Sequence, residues 1–204
     1  VEWAGGRPVT IRTLDIGGDK PVRGLTPEGE ANPFLGLRGV RLTLARPDVF
    51  RTQLRALARA AAHGDLKVMI PMVSIPAELA QVAALLDAVM EDLLHDGVAC
   101  RKPPLGIMVE VPAVAVAPDL FHDAAFFSIG SNDLTQYVTA TARDGTMMEG
   151  LGRADHPAVM RLIAQVAQFG HEAGIPVSLC GDMASDPAHL SALIGAGLRA
   201  LSVA

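Results

Sequence analysis

Short apolar runs alternate with helical patterns along nearly the whole chain, and this alternation restricts the fold more than any other feature of the sequence. The runs that read as strands are VTIRTLDIGG from Val9, LKVMIPM from Leu66, LGIMVEV from Leu105, AAFFSIG from Ala124, IPVSLCG from Ile175 and the short closing RALSVA. Between them lie patterns with helical spacing. These are VFRTQLRALARAAAH, the long PAELAQVAALLDAVMEDLLHDG with Pro76 in its first turn and Gly97 past its end, segments after Pro112 and Asp133, a longer one from His156, and one after Pro187. Strands separated by helices run parallel and connect through right-handed crossovers. Composition agrees, since 50% of the 204 residues are apolar and only 4% aromatic, as suits buried parallel strands. No linker or low-complexity tract divides the chain, which predicts one domain over residues 1–204.

Several of the apolar runs end in the same way, with a polar or charged group followed by a helix. RTLDIGGDK, MVEVP, SIGSND and LCGD share this plan. In a β/α barrel the C-terminal strand ends converge on one face, where the catalytic groups lie. In an open doubly wound sheet such groups gather mainly at a switch point. Four polar ends from different parts of the chain favour the barrel. The expected fold class is therefore α/β, a TIM-type (β/α)8 barrel present as a truncated fragment with about six of its eight strands. The opening VEWAGGRPVT reads as the middle of something longer, and the expected missing parts are two early strands and a closing helix.

A formal net charge of −5 with no compensating basic face argues against a nucleic-acid partner. An anionic ligand would have to be held by a few placed cations, not attracted by the global field. No uninterrupted apolar span reaches bilayer length, and no basic start precedes an apolar signal segment, so neither membrane nor export is expected. Cys100 and Cys180 form neither a disulfide framework nor a zinc spacing, which makes a reduced cytoplasmic setting the default.

The candidate chemistry sits at the strand ends. Glu110 ends GIMVE, and Asp133 follows the next run in IGSND. Adjacent parallel strands lie about 4.8 Å apart, so carboxylates at neighbouring tips are able to share a divalent cation. A hard site with two carboxylates suits Mg²⁺, which keeps waters and takes further oxygens from a phosphorylated substrate. The bland alternative is a pair of separate helix caps. Asn132 either caps the next helix or donates to a phosphate. Among the cations, Arg12 lies within a strand, Lys20 follows a Gly-Gly turn, Arg38 sits among apolar and turn residues, and Arg143 lies ten residues past Asp133. Each alone reads as an ordinary salt bridge, and together they suggest a small, strongly anionic substrate. Cys180 ends VSLCG, where it is either a buried apolar residue or an acid or nucleophile. The six histidines are scattered and none stands at a strand tip, so no histidine nucleophile is expected.

RTLDIGGDK, NPFLGLRGVR, GIMVEVPAV, FFSIGSNDLTQY and LCGDMASD, in this order over essentially the whole chain, resemble the phosphoenolpyruvate-binding barrel of the enzyme I family of phosphoenolpyruvate–protein phosphotransferases. Pyruvate phosphate dikinase and phosphoenolpyruvate synthase share the strand glutamate and NDLTQ. Multiphosphoryl transfer proteins, including those serving dihydroxyacetone kinase, carry the same module, and magnesium-dependent lyase barrels use similar strand-end acids. The resemblance implies that Glu110 and Asp133 hold Mg²⁺ and that Arg12 and Arg143 grip the substrate. Asn132 and the adjacent backbone would bind its phosphate, and Lys20 and Arg38 would complete the anion cradle. Cys180 would protonate the enolate as pyruvate forms. It further implies sugar phosphotransferase function, a homodimer, and a histidine-containing phosphocarrier protein reached through a phosphohistidine domain outside this chain, so the chain alone would be inactive in phosphotransfer. Ser131 stands where the family commonly has Thr, and Asp182 and Ser185 where it commonly has Glu and Gly. No Asp precedes Arg143 as it often does in the family.

Overall fold

A computed structural model of the chain describes residues 1–18, 20–142 and 150–203. Six strands and eight α-helices alternate along these residues, and contacts divide the chain into two units, Val1–Gly106 and Ile107–Ala204. The fold is α/β of the β/α-barrel class, represented by six strands. Each unit has its own parallel pairing and its own core.

In the first unit, β1 (Val9–Arg12) pairs in parallel with β2 (Leu66–Ile70), with Arg12 opposite Met69. The connection between them holds α1 (Val40–Ala45) and α2 (Pro47–Ala61). Helix α1 was not anticipated from the sequence. It is a single short stretch, framed by Gly39 at φ 55° and by Arg46, with no capping side chain to announce it. Helix α2 buries Phe50, Leu54, Leu57, Ala58 and Ala61, the spacing of one helical stripe. After β2 comes α3 (Pro76–His95), with Pro76 at its first position. Glu78 reaches back so that its Oε2 accepts from the backbone N–H groups of Ser74 (2.6 Å) and Ile75 (3.1 Å), satisfying donors the helix leaves open. The helix buries Leu79, Val82, Leu86, Val89 and Leu93. Arg51–Asp92 (2.5 Å) and Arg55–Asp96 (2.8 Å) then tie α2 to α3 on the solvent side.

In the second unit, β3 (Leu105–Val109), β4 (Phe127–Gly130), β5 (Val177–Cys180) and β6 (Leu201–Ser202) are parallel neighbours in chain order. Their connections carry α4 (Pro112–Val116), α5 (Ser131–Thr139), α6 (Pro157–Ala173), α7 (Asp182–Ser185) and α8 (Pro187–Gly195). Register places Ile107, Phe127 and Val177 in one row and Val109, Ile129 and Leu179 in another. Side chains alternate along a strand, so these apolar rows share one face, which the helices cover. Phe127 stacks on Phe169 of α6 at 6.1 Å between ring centroids. Gly170 brings α6 closer still, since a Cβ there would stand 2.2 Å from Val177 Cγ2. His156 caps α6, its Nδ1 accepting from the Ala158 N–H (3.2 Å).

Among the described residues, no helix is long and apolar enough to cross a membrane.

Candidate functional site

The opposite face of the second unit carries the chemistry. The alternate rows place Met108 opposite Ser128 and Ser128 opposite Ser178, and at the strand ends Gly130 opposite Cys180 and Cys180 opposite Ser202. Glu110 follows Val109, the partner of Ile129, and so belongs beside Gly130. The contacts agree: a Cβ added at Gly130 would lie 2.8 Å from Glu110 Oε2 and 3.0 Å from Glu110 Cβ. Gly130 thus leaves the space that the Glu110 side chain fills. Three adjacent tips present a carboxylate, a bare backbone and a thiol in sequence.

Helix α5 begins at Ser131, ahead of the Asp133 start expected from the sequence, with Gly130 as its N-cap. Neither Asn132 nor Asp133 is therefore the cap. Both sit in the first helical turn, where a negative side chain is favoured by the unpaired N–H groups. Glu110 is 1% exposed and Asp133 6%. Both carboxylates are thus withdrawn from water, and each is engaged by other groups of the chain.

The junctions after β4 and β5 are latched together. Ser131 Oγ donates to the Cys180 carbonyl (2.7 Å), and the Asp182 N–H donates to Asn132 Oδ1 (3.1 Å). Between them lies Gly181 at φ 104° and ψ −178°, a conformation essentially confined to glycine. A Cβ there would also approach Ser131 Oγ and come within 2.8 Å of Asn132 Oδ1. The half-exposed Cys180 thiol lies 3.5 Å from the Ile129 carbonyl, to which it donates, and 3.8 Å from Ser128 Oγ.

The first unit holds a second cluster, around Asp15. Its side chain is 2% exposed and joins two guanidinium groups, Arg12 Nη1 at 3.2 Å and Arg38 Nη2 at 3.3 Å. Arg38 is itself 3% exposed and lies over the Phe34 ring, 5.9 Å from its centroid. Arg12 stays more open, with 38% of its side chain exposed at the tip of β1. Gly17 at φ 106° makes the close approach to Arg38 possible, since a Cβ would stand 2.7 Å from Arg38 Cβ. Gly17 and Lys20 exchange both backbone hydrogen bonds (3.1 Å each), which closes the Gly-Gly turn and leaves Lys20 exposed. Beside the turn is a cleft of about 560 Å³ lined in part by Gly17, Gly18, Arg23, Glu28 and Glu30. Past the end of β2, Met72 is buried at φ 61°, an uncommon conformation for a side chain of that size, and packs against Gly39.

Comparison with known proteins places the chain in a family. The family model described as "PEP-utilising enzyme, PEP-binding domain" matches residues 1–204. The chain belongs to that family. Relatives of this PEP-binding domain include the phosphoenolpyruvate-protein phosphotransferase of Geobacillus stearothermophilus, 45% identical over 205 residues that cover 100% of this chain and 36% of the relative. The protein of the same name from Priestia megaterium is 44% identical over 200 residues, covering 97% of this chain and 35% of the relative. The domain thus spans about a third of the length of the curated relatives it matches. Among solved structures, a citrate lyase from Burkholderia xenovorans LB400 aligns with a TM-score of 0.51 at 20% identity, covering 72% of this chain and 53% of that one. At that identity the likeness shows the fold alone.

Within this PEP-binding domain, Glu110, Asn132 and Cys180 lie around the β4 and β5 tips, Asp133 lies in the helical turn that follows β4, and Arg12, Lys20 and Arg38 surround the loop after β1. Arg143 lies outside the described residues. Sequence reasoning missed Asp15, Ser128 and Ser131. Asp15 carried a signal, an acid three residues after a strand-end Arg. Ser131 and Ser128 carried none, because their partners are about fifty residues distant in the chain.

Proposed function

We propose that the chain is the substrate-binding barrel of a phosphoenolpyruvate–protein phosphotransferase, which binds phosphoenolpyruvate with Mg²⁺ and releases pyruvate. The observation that carries this reading is the row of three strand ends that sets the Glu110 carboxylate and the Cys180 thiol on either side of Gly130. The donor set fits a hard cation, since Glu110 and Asp133 supply buried carboxylate oxygens. Glu110 and Asp133 would hold Mg²⁺, which when bound supplies positive charge to neutralise the phosphate oxygens.

The other roles follow from side-chain chemistry. Arg12 and Arg143 pair with the anionic substrate, and Lys20 adds charge beside the Gly-Gly turn. Arg38, locked between Asp15 and Phe34, orients Asp15 and so the more open Arg12. The Asn132 amide nitrogen donates to phosphate while its oxygen stays on the Asp182 N–H. Transfer breaks the bond between phosphorus and the bridging oxygen. The phosphoryl group passes to an imidazole nitrogen of a phosphohistidine domain that would in turn serve a histidine-containing phosphocarrier protein. The electron pair left on oxygen forms the pyruvate enolate. Cys180 gives its proton to the methylene carbon, which yields pyruvate, and the thiolate regains a proton from water. A cytoplasmic, homodimeric protein serving sugar phosphotransfer completes this reading.

The proton-transfer half is testable without a phosphoryl acceptor. With Mg²⁺ present, the chain is expected to exchange the methyl protons of pyruvate with deuterated water, followed by proton NMR. Cys180→Ala is expected to slow this exchange by about 100-fold or more, while pyruvate still binds with its affinity little changed. Exchange at the normal rate in Cys180→Ala would remove Cys180 from the mechanism. Aldol cleavage of a hydroxy acid by the chain would instead indicate a lyase.

A further inference from the structure

One buried acceptor in the second unit is unaccounted for. Gln136 is 9% exposed, and its Oε1 meets no donor among the described residues. A buried polar group left unpaired is destabilising, so its persistence calls for a partner that arrives with a ligand. Gln136 stands three residues after Asp133 and four after Asn132 on α5, spacings that place the three on one helix face. Side chains on a helix lean toward its N-terminus, so the long Gln136 side chain reaches back over the turn that carries both. Asn132 does not serve it, because its Oδ1 accepts from the Asp182 N–H and its amide nitrogen makes no bond to Gln136 Oε1. Thr135 Oγ1 is also unpartnered. It lies instead on the face of Ser131 and Thr139, and a hydroxyl turns freely to suit its surroundings.

The missing partner must be a hydrogen-bond donor. A phosphorylated enol carboxylate offers only acceptors at neutral pH, and a bare cation offers no hydrogen. A water held by a divalent cation is a donor, polarised by the ion, and Mg²⁺ characteristically retains several. We propose that Gln136 is a positioning residue that accepts a hydrogen bond from a cation-bound water at the Glu110–Asp133 site. The inference rests on the metal reading given above and extends it beyond the direct ligands. Groups that hold the outer shell of a metal site typically change affinity by about 10–100-fold when removed.

The test uses Mn²⁺ as the probe, with free ion followed by electron paramagnetic resonance during titration of the full chain. Glu110→Gln is expected to weaken Mn²⁺ binding by about 100-fold. Gln136→Met keeps the side chain's length and apolar packing but removes the acceptor, and it is expected to weaken binding by about 10-fold with a thermal midpoint no lower than that of the wild type. Gln136→Glu keeps an acceptor and strengthens it, and is expected to bind at least as tightly as the wild type. If Gln136→Met binds Mn²⁺ normally while Glu110→Gln does not, Gln136 is only structural and the inference falls alone. If Glu110→Gln also binds normally, the metal reading and the inference fall together. Should Gln136→Met fail to fold, Gln136→Glu decides, and weaker binding in that variant overturns the proposal.

Discussion

At Gly130 the backbone is ordinary, with φ −86° and ψ 85°, so glycine is needed there for space and not for conformation. The neighbours that a Cβ would strike are Glu110 Oε2 and Cβ and Met108 Cγ. Gly130→Ala is therefore expected to push the Glu110 carboxylate from its position at a stability cost of about 1–3 kcal/mol, the usual range for overpacking. Its Mn²⁺ affinity should fall by more than its melting temperature suggests, and a paired titration and thermal melt would check this. Gly181 differs, since both its φ of 104° and the nearby Ser131 and Asn132 oxygens exclude a side chain. Asp15 shows the same economy with charge. One buried carboxylate orients two guanidinium groups, and removing it would leave Arg38 buried without that counter-charge.

At the scale of elements, the site depends on how helices begin. Helix α5 starts one residue after β4 ends, so the first helical turn and the strand tip are one continuous feature. Helix α7 starts two residues after β5 ends, with Gly181 between them, and its first N–H is taken by Asn132. The entry to α6 has its own electrostatics. Arg153 donates to Asp155 through Nε (2.8 Å) and Nη2 (2.6 Å), and these bonds, then the positive charge of Arg153, hold the Asp155 carboxyl below the usual carboxylate range. A carboxyl depressed in the folded state stabilises above its unfolded pKa, and that contribution is lost as pH falls through the folded value. Arg153→Ala is expected to move the Asp155 titration upward by NMR, with little change in stability at neutral pH because the pair is surface-exposed.

Across the second unit, packing and chemistry occupy opposite faces of the strands. In the second unit the covered face is Phe127, Ile129, Val109 and Leu179 against α6 and its neighbours, and the other face is serine, cysteine and carboxylate. This separation predicts that the two are dissociable. Phe127 is fully buried, and Phe127→Ala is expected to cost about 3–5 kcal/mol in urea denaturation. In the folded fraction Mn²⁺ affinity should remain within about threefold of wild type, less than one RT ln 10 step. Parallel loss of both would show that the core and the site are coupled.

Much of this was legible in the sequence because the signals are local. The order of strands and helices follows from apolar spacing within windows of a few residues. Glu110, Asp133 and Cys180 stood out because each ends or follows an apolar run. Helix α1 was not legible because it is too short to show a period, and the start of α5 was misplaced because Gly130 takes the cap that Asp133 was expected to provide. Pairings between distant residues were beyond reach: Arg38 with Asp15 across 23 positions, Ser131 with the Cys180 carbonyl across 49, and Asp182 with Asn132 across 50. The chain alone determined the element order and the residue types at the strand tips, since both follow from short-range periodicity. Only the tertiary structure decided which tips adjoin and which buried groups are paired, because parallel strands bring together residues that the chain separates by a whole crossover.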